Sequence, residues 1–97
     1  KRKTIKGESF MKIKKGFVVR KVGGENIAVP VGAQSKAFHG MIKLNESGQF
    51  LWNFFLKDHT EAEAVEALLN EYEVSRETAE KDVANFCHIL TENNFAE

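Results

Sequence analysis

The side chains of this sequence that could bind a metal or act as a nucleophile are few: His39, His59, Cys87 and His88. They form neither a C-x-x-C pair nor an H-x₃₋₅-H pair, the spacings typical of zinc sites. Cys87 and His88 are neighbours in a segment of helical periodicity, so their side chains point about 100° apart and His88 cannot act as the base for Cys87. The sequence predicts no metal site and no catalytic nucleophile, with Cys87 near the core as a small apolar residue.

The remaining polar residues give no sign of catalysis either. The fourteen acidic residues are spread along the solvent faces of predicted helices, and no two are paired for acid–base chemistry. No glycine-rich loop matches a phosphate-binding motif, and Gly23–Gly24 fits a tight hairpin turn. We therefore expect a protein that is not an enzyme and needs no cofactor.

Charge is divided sharply along the chain. Residues 1–44 contain eleven Lys and Arg but two acids, for a net charge of +9, whereas residues 45–97 have a net charge of −9. One interpretation is that the basic half forms a surface that attracts anions. The other is that the two halves attract each other and that the glutamates keep the helices in water.

Size and composition indicate one globular domain. The chain has 97 residues, of which 42% are hydrophobic. No apolar run approaches the roughly 20 residues that span a membrane, and a single cysteine favours a reducing compartment, so we expect a cytoplasmic protein. Residues 1–10 are basic and without periodicity; they are expected to be a flexible arm, native or left by cloning, ahead of a domain at residues 11–97.

The first half of that domain predicts three strands. Phe17–Val22 and Ile27–Val31 are rich in β-branched residues and flank the turn sequence GGEN, which favours a β-hairpin. Met41–Leu44 reads as a short third strand, with Ile42 and Leu44 on one face. We expect an antiparallel three-stranded sheet.

The second half predicts three capped helices. Asn45 is a suitable N-cap for the first, Thr60 and Glu63 form a T-x-x-E capping box for the second, and Ser75 caps the third, which runs to about Glu92. The first helix has more aromatic residues than one buried stripe needs, and its outlying aromatics belong either to the core or to a contact with the sheet or another chain. The fold class is α+β, in the order β-β-β-α-α-α.

The junction LNESGQFLW (Leu44–Trp52) resembles L-N-x-[ST]-G-x-x-[IL]-W, a signature of the PqqD family, which was first named for pyrroloquinoline quinone biosynthesis. Residues Thr60–Leu90 are similar to that family's second and third helices, with a Y-x-V step and a D-V-x-x-F core. The resemblance covers about Phe17 to Phe95. The arm at Lys1–Phe10 is not part of the family pattern.

The resemblance implies a winged helix-turn-helix-like domain, the recognition element of ribosomally synthesised and modified peptides. Such domains bind the leader of a precursor peptide as an added strand on the third strand, against the third helix. They present the peptide to a modifying enzyme, often a radical S-adenosylmethionine protein. Because no enzyme is fused to this chain, the resemblance implies a partner supplied in trans.

Applied to this sequence, the hypothesis places the peptide between the third strand and one flank of the third helix. That flank has Ile89, an apolar residue away from the main core stripe. Lys43 would either meet an acidic leader residue or protect the sheet edge. The predicted peptide-binding residues are Met41, Ile42, Lys43, Leu44, Asp82, Asn85, Phe86 and Ile89.

Two other functions fit the same elements. Three helices and a β-wing are also typical of DNA-binding proteins, although the predicted recognition helix carries more acids than bases, which repels phosphate. An open edge strand also favours self-pairing, so a homodimer or a plain oligomerisation module stays open.

Overall fold

The computed structural model describes residues 4–5, 8–32 and 41–96 and has an α+β fold. The strands are β1 (Thr4–Ile5), β2 (Glu8–Met11), β3 (Phe17–Val22), β4 (Glu25–Pro30), β5 (Ile42–Leu44) and β6 (His59–Thr60). The helices are α1 (Glu46–Phe54), α2 (Glu61–Glu71) and α3 (Arg76–Glu92). The predicted three strands followed by three helices are present, with three further short strands.

The main sheet is antiparallel, in the order β3-β4-β5. Gly23 and Gly24 join β3 to β4 with φ of 59° and 83°, the left-handed conformation that tight hairpin turns require at both central residues. Ala28 faces Ile42 across β4 and β5, and both are buried. This face of the sheet therefore packs onto the core.

Each helix begins at the predicted cap. The side chains of Asn45 and Ser75 accept hydrogen bonds from backbone amides three residues on, and Thr60 forms a complete capping box with Glu63. The α1 helix ends at Phe54, and His59–Thr60 beyond it is extended and pairs with β2 as β6.

The core lies between the main sheet and the three helices, which contact one another. Aromatic rings join its parts: Phe17 of β3 stacks on Phe95 with ring centroids 4.0 Å apart, and Phe95 meets Trp52 edge-on at 6.1 Å. The buried apolar residues are Ile13, Phe17, Ala28, Ile42, Leu44, Leu51, Trp52, Phe55, Ala64, Val65, Leu68, Ala79, Val83, Phe86, Cys87, Leu90 and Phe95.

A second small sheet has the order β1-β2-β6 and includes Glu8–Met11, which overlaps the segment predicted to be a flexible arm. Phe10 pairs with Thr60 and Met11 with His59. Just beyond, the Ile13 amide donates to the Phe55 carbonyl at 2.9 Å. Residues 1–3 and 6–7 lie outside the described part, and the sequence could not reveal this pairing because strands of two to four residues have no measurable period.

None of the described helices is both long enough and apolar enough to span a bilayer.

Candidate functional site

A groove of about 840 Å³ opens between β5, the first turns of α1, and α3. Its wall on one side is sheet backbone and on the other a helix flank. The lining residues are Gly24, Glu25, Asn26, Ile42, Lys43, Leu44, Asn45, Glu46, Ser47, Gly48, Gln49, Phe50, Leu51, Asn53, Tyr72, Asp82, Asn85, Phe86 and Ile89.

The structure brings seven of the eight predicted site residues together around this groove: Ile42, Lys43, Leu44, Asp82, Asn85, Phe86 and Ile89. The eighth, Met41, does not line it. Met41 precedes β5, which begins at Ile42 rather than Met41, and its side chain is 63% exposed. Whether these residues bind peptide stays a prediction.

The sheet side of the groove is a strand edge. Among the described residues β5 pairs only with β4, and its other edge faces the groove without a strand. Ile42 and Leu44 turn inward to the core, while Lys43 points to solvent. Backbone amides and carbonyls on an unpaired edge are the groups to which a further strand binds.

The helix side is apolar at its base and open at its rim. Phe86 is 7% exposed and stacks on Phe55 with ring centroids 6.3 Å apart, so its position is fixed by the core. Ile89, one turn further along α3, is 41% exposed. An exposed isoleucine beside a buried phenylalanine gives a firm apolar surface that is still accessible.

The junction between β5 and α1, with Asn45 and Gly48, forms one end of the groove. The Asn45 Oδ1 atom accepts from the Gly48 amide at 2.7 Å, which caps α1. A Cβ atom on Gly48 would lie 3.0 Å from that same oxygen and 3.6 Å from Leu44 Cδ2. A side chain at this position would crowd the capping oxygen of Asn45, whereas its contact with Leu44 would be an ordinary one, so the glycine leaves room for the cap.

Two aromatic residues of the groove were missed at the sequence level, Phe50 and Tyr72. Their rings meet edge-on with centroids 5.7 Å apart. Phe50 also stacks with Phe54, with ring centroids 6.5 Å apart. The signal was available, since residues four apart share a helix face.

The groove is acidic rather than basic. Its charged lining residues are Glu25, Lys43, Glu46 and Asp82. The one cation among them, Lys43, already lies 3.5 Å from Glu25, with both side chains more than half exposed. Among the described residues, the basic half of the chain therefore adds little positive charge to the groove.

The candidate catalytic and metal-binding groups do not assemble in the described part of the chain. No three of its His, Cys, Asp and Glu side chains are placed to hold a metal ion. Burial, with Glu61 nearby, raises the pKa of the Cys87 thiol to about 12, which makes it a poor nucleophile. His59 lies 3.0 Å from Glu63 at the start of α2, and His39 is outside the described residues.

A protein-family model described as coenzyme PQQ synthesis protein D (PqqD) matches the chain over residues 28–96. The chain belongs to the PqqD family. The matched region runs from the middle of β4 to the end of the described chain, so β5 and α3 of this PqqD-family protein lie inside it.

Two solved structures share the fold. TbiB1 in complex with the TbiA(beta) leader peptide has a TM-score of 0.67 and 23% identity, covering 89% of this chain and 94% of that one. Lasso peptide synthetase B1 complexed with the leader peptide has a TM-score of 0.67 and 24% identity, covering 90% and 96%. The search of curated proteins finds no match.

Proposed function

We propose that this protein is a non-catalytic binding module that recognises the leader of a ribosomally synthesised precursor peptide and presents it to a modifying enzyme. The observation that carries the proposal is that one edge of β5, which has no partner strand among the described residues, lies across one groove from the accessible apolar flank of α3. Such a site binds extended peptide by adding a strand to the sheet.

The geometry suits an extended peptide in a specific way. Backbone groups of the leader would bond to the free edge of Ile42–Leu44, in either strand direction. Because side chains alternate along a strand, every second one would enter the groove over Phe86 and Ile89, while the others face water. Backbone bonds would supply affinity and the groove would supply specificity.

Membership in the PqqD family and the two structural neighbours support this function. Both neighbours are described in complex with a leader peptide, and their chains match this one in fold along almost their whole length. The PqqD assignment rests on sequence and the neighbours on structure, so the two lines of support are independent.

The proposal also covers the class of the partner enzyme and the cellular compartment. We assign the modifying enzyme to the radical S-adenosylmethionine class, on the family resemblance, and the protein to the cytoplasm, on its single buried cysteine. The β5 edge is also open to a second copy of the chain, and a homodimer formed there would compete with the leader for the same backbone groups.

Nucleic-acid binding is disfavoured by the charges on α3. The guanidinium of Arg76 lies 2.7 Å from the carboxylate of Glu66 and is occupied there. Lys81 is then outnumbered on this helix by Glu77, Glu80, Asp82 and Glu92. A helix with this balance repels a phosphate backbone.

The test begins with the genes beside the coding sequence, where we expect a radical enzyme and a short precursor. The leader of that precursor is then titrated into ¹⁵N-labelled protein while amide chemical shifts are followed. Shifts should concentrate at Ile42–Leu44 and along residues 82–89.

Three results would contradict the proposal. Shifts confined to the hairpin of β3 and β4 would place the site elsewhere. Tight sequence-specific binding to duplex DNA at physiological salt would favour the nucleic-acid function. A concentration-dependent dimer that the leader does not dissociate would favour oligomerisation through the edge.

A further inference from the structure

A smaller cavity of about 290 Å³ continues the groove past the start of α1, toward the end of α2. We call it the side cavity. It is lined by Asn45, Glu46, Ser47, Leu68, Tyr72, Val74 and Asp82. Five of these residues, Asn45, Glu46, Ser47, Tyr72 and Asp82, also line the main groove, so the two spaces are continuous.

The side cavity has an apolar base. Leu68 is buried in the core, and Val74, in the turn between α2 and α3, is 38% exposed. Tyr72 is half-buried and held edge-on by Phe50. An aliphatic chain entering here would cover Val74 and the tyrosine ring, which water otherwise contacts.

The charges around the side cavity are all negative. They belong to Glu46 and Asp82, and within the described residues neither makes an ion pair. Burial, then Glu46, then Glu71 raise the pKa of Tyr72, so the carboxylate of Glu46 acts on the ring of this cavity. The α1 N-terminus adds the equivalent of roughly half a positive charge, too little to offset two carboxylates.

We propose that the side cavity is a specificity subsite of the leader groove that takes the side chain of an arginine or lysine. The proposal rests on the proposed function and names a property of the leader: a basic residue beside the apolar residues that enter the main groove. A basic leader residue is the opposite of the acidic one that the positive charge of residues 1–44 would suggest.

The chemistry of a long basic side chain fits both halves of the cavity. Its methylene stem packs on apolar surface while its charged head stays at the rim. Here the stem would lie on Val74 and Tyr72, and the head would meet Glu46 and Asp82. Arginine gains further from a bidentate carboxylate contact and from stacking on the tyrosine ring, so we expect it to be preferred over lysine.

The experiment is a selection from a displayed library of random twelve-residue peptides, which needs no knowledge of the natural leader. The bait proteins are the unmodified chain, a double variant Glu46→Gln/Asp82→Asn, and a control Glu80→Gln. Glu80 lies on α3 but lines neither cavity, so its variant shows the effect of removing one negative charge elsewhere on the same helix.

We expect the unmodified chain and the control to select an alternating apolar pattern with arginine or lysine at one fixed position. The double variant should keep the apolar pattern and lose the basic preference. Replacing the selected arginine by glutamine in a synthetic peptide should weaken binding to the unmodified chain about fivefold or more, and to the double variant less than about twofold.

The outcomes separate the two proposals. An apolar pattern without a basic preference, or with an acidic one, overturns the subsite and leaves the leader groove intact. A basic preference that persists in the double variant assigns the charge recognition to other residues and also overturns it. Selection of no extended apolar pattern at all overturns the proposed function, and the subsite with it.

Discussion

The Nζ atom of Lys43 lies 3.5 Å from the Oε1 atom of Glu25, so an ion pair joins β5 to the start of β4 at the mouth of the groove. The two side chains are 68% and 56% exposed. Ion pairs this open to water contribute little to stability, because solvent screens them and ordering two long side chains opposes them.

The first prediction follows from that pair. Lys43→Gln should change the free energy of unfolding by less than about 0.5 kcal/mol. Ile42→Ala, at the neighbouring buried position of the same strand, should lower it by about 2–5 kcal/mol. Urea unfolding followed by circular dichroism measures both. A loss above about 1 kcal/mol for Lys43→Gln would mean that the pair supports the strand.

The second prediction concerns the α1 face that packs on the core. Leu51 is 1% exposed, so Leu51→Ala should destabilise the fold by about 2–5 kcal/mol through lost burial and the cavity left behind. Asn53→Ala, on the exposed side of the same helix, should stay within about 0.5 kcal/mol of the unmodified protein. Equal effects in urea melts would show that the buried face is misassigned.

The third prediction tests the capping box of α2. Thr60 Oγ1 accepts from the Glu63 amide at 3.1 Å, and Glu63 Oε1 accepts from the Thr60 amide at 3.0 Å. Thr60→Ala should lower the free energy of unfolding by about 0.5–2 kcal/mol, and Thr60→Ser by much less, since serine keeps the accepting oxygen. If both variants lost the same amount, packing of the threonine methyl would be the cause.

The fourth prediction is a pH dependence at the same cap. The Thr60 amide, then His59, hold the pKa of Glu63 below its ordinary value of 4.5. A carboxyl with a lowered folded pKa stabilises the fold above its unfolded value and loses that contribution as pH falls through the folded value. The stability difference between the unmodified protein and Glu63→Gln should therefore be constant near neutral pH and shrink below about pH 4.5. Urea melts at several pH values measure it, and a difference that grows in acid would contradict the assignment.

How far the sequence predicts this molecule depends on the strength of each local signal. Asn45, Thr60 and Ser75 mark the helix starts correctly because capping is a short-range interaction between a side chain and amides a few residues away. Strand and helix periodicity together with the family resemblance predict Ile42, Lys43 and Leu44 on one side of the groove and the α3 flank on the other, but miss Phe50 and Tyr72. The pairing of β2 with β6 joins segments some fifty residues apart, and no local pattern reveals it.

The charge of the groove was the least predictable feature. The charge difference between the two halves of the chain assigns the basic residues to the half that forms the sheet. It does not say which face or edge of the sheet they occupy. Glu25 neutralises Lys43, while Glu46 and Asp82 come from helices of the acidic half. The local field of a site is set by the few charges that line it, and the tertiary structure selects those few.

The last prediction tests whether Ile89 contacts the peptide directly or whether α3 affects binding only through its overall charge. Ile89→Glu should weaken leader binding by about tenfold or more, because it places a carboxylate where the proposed peptide buries apolar side chains. Ala84→Glu adds the same charge to an exposed position of the same helix that does not line the groove, and should change affinity by about twofold or less. Fluorescence anisotropy with a labelled leader peptide measures both, and thermal melts confirm that both variants fold. Equal weakening by the two variants would mean that α3 acts through its overall charge and that Ile89 makes no contact with the peptide.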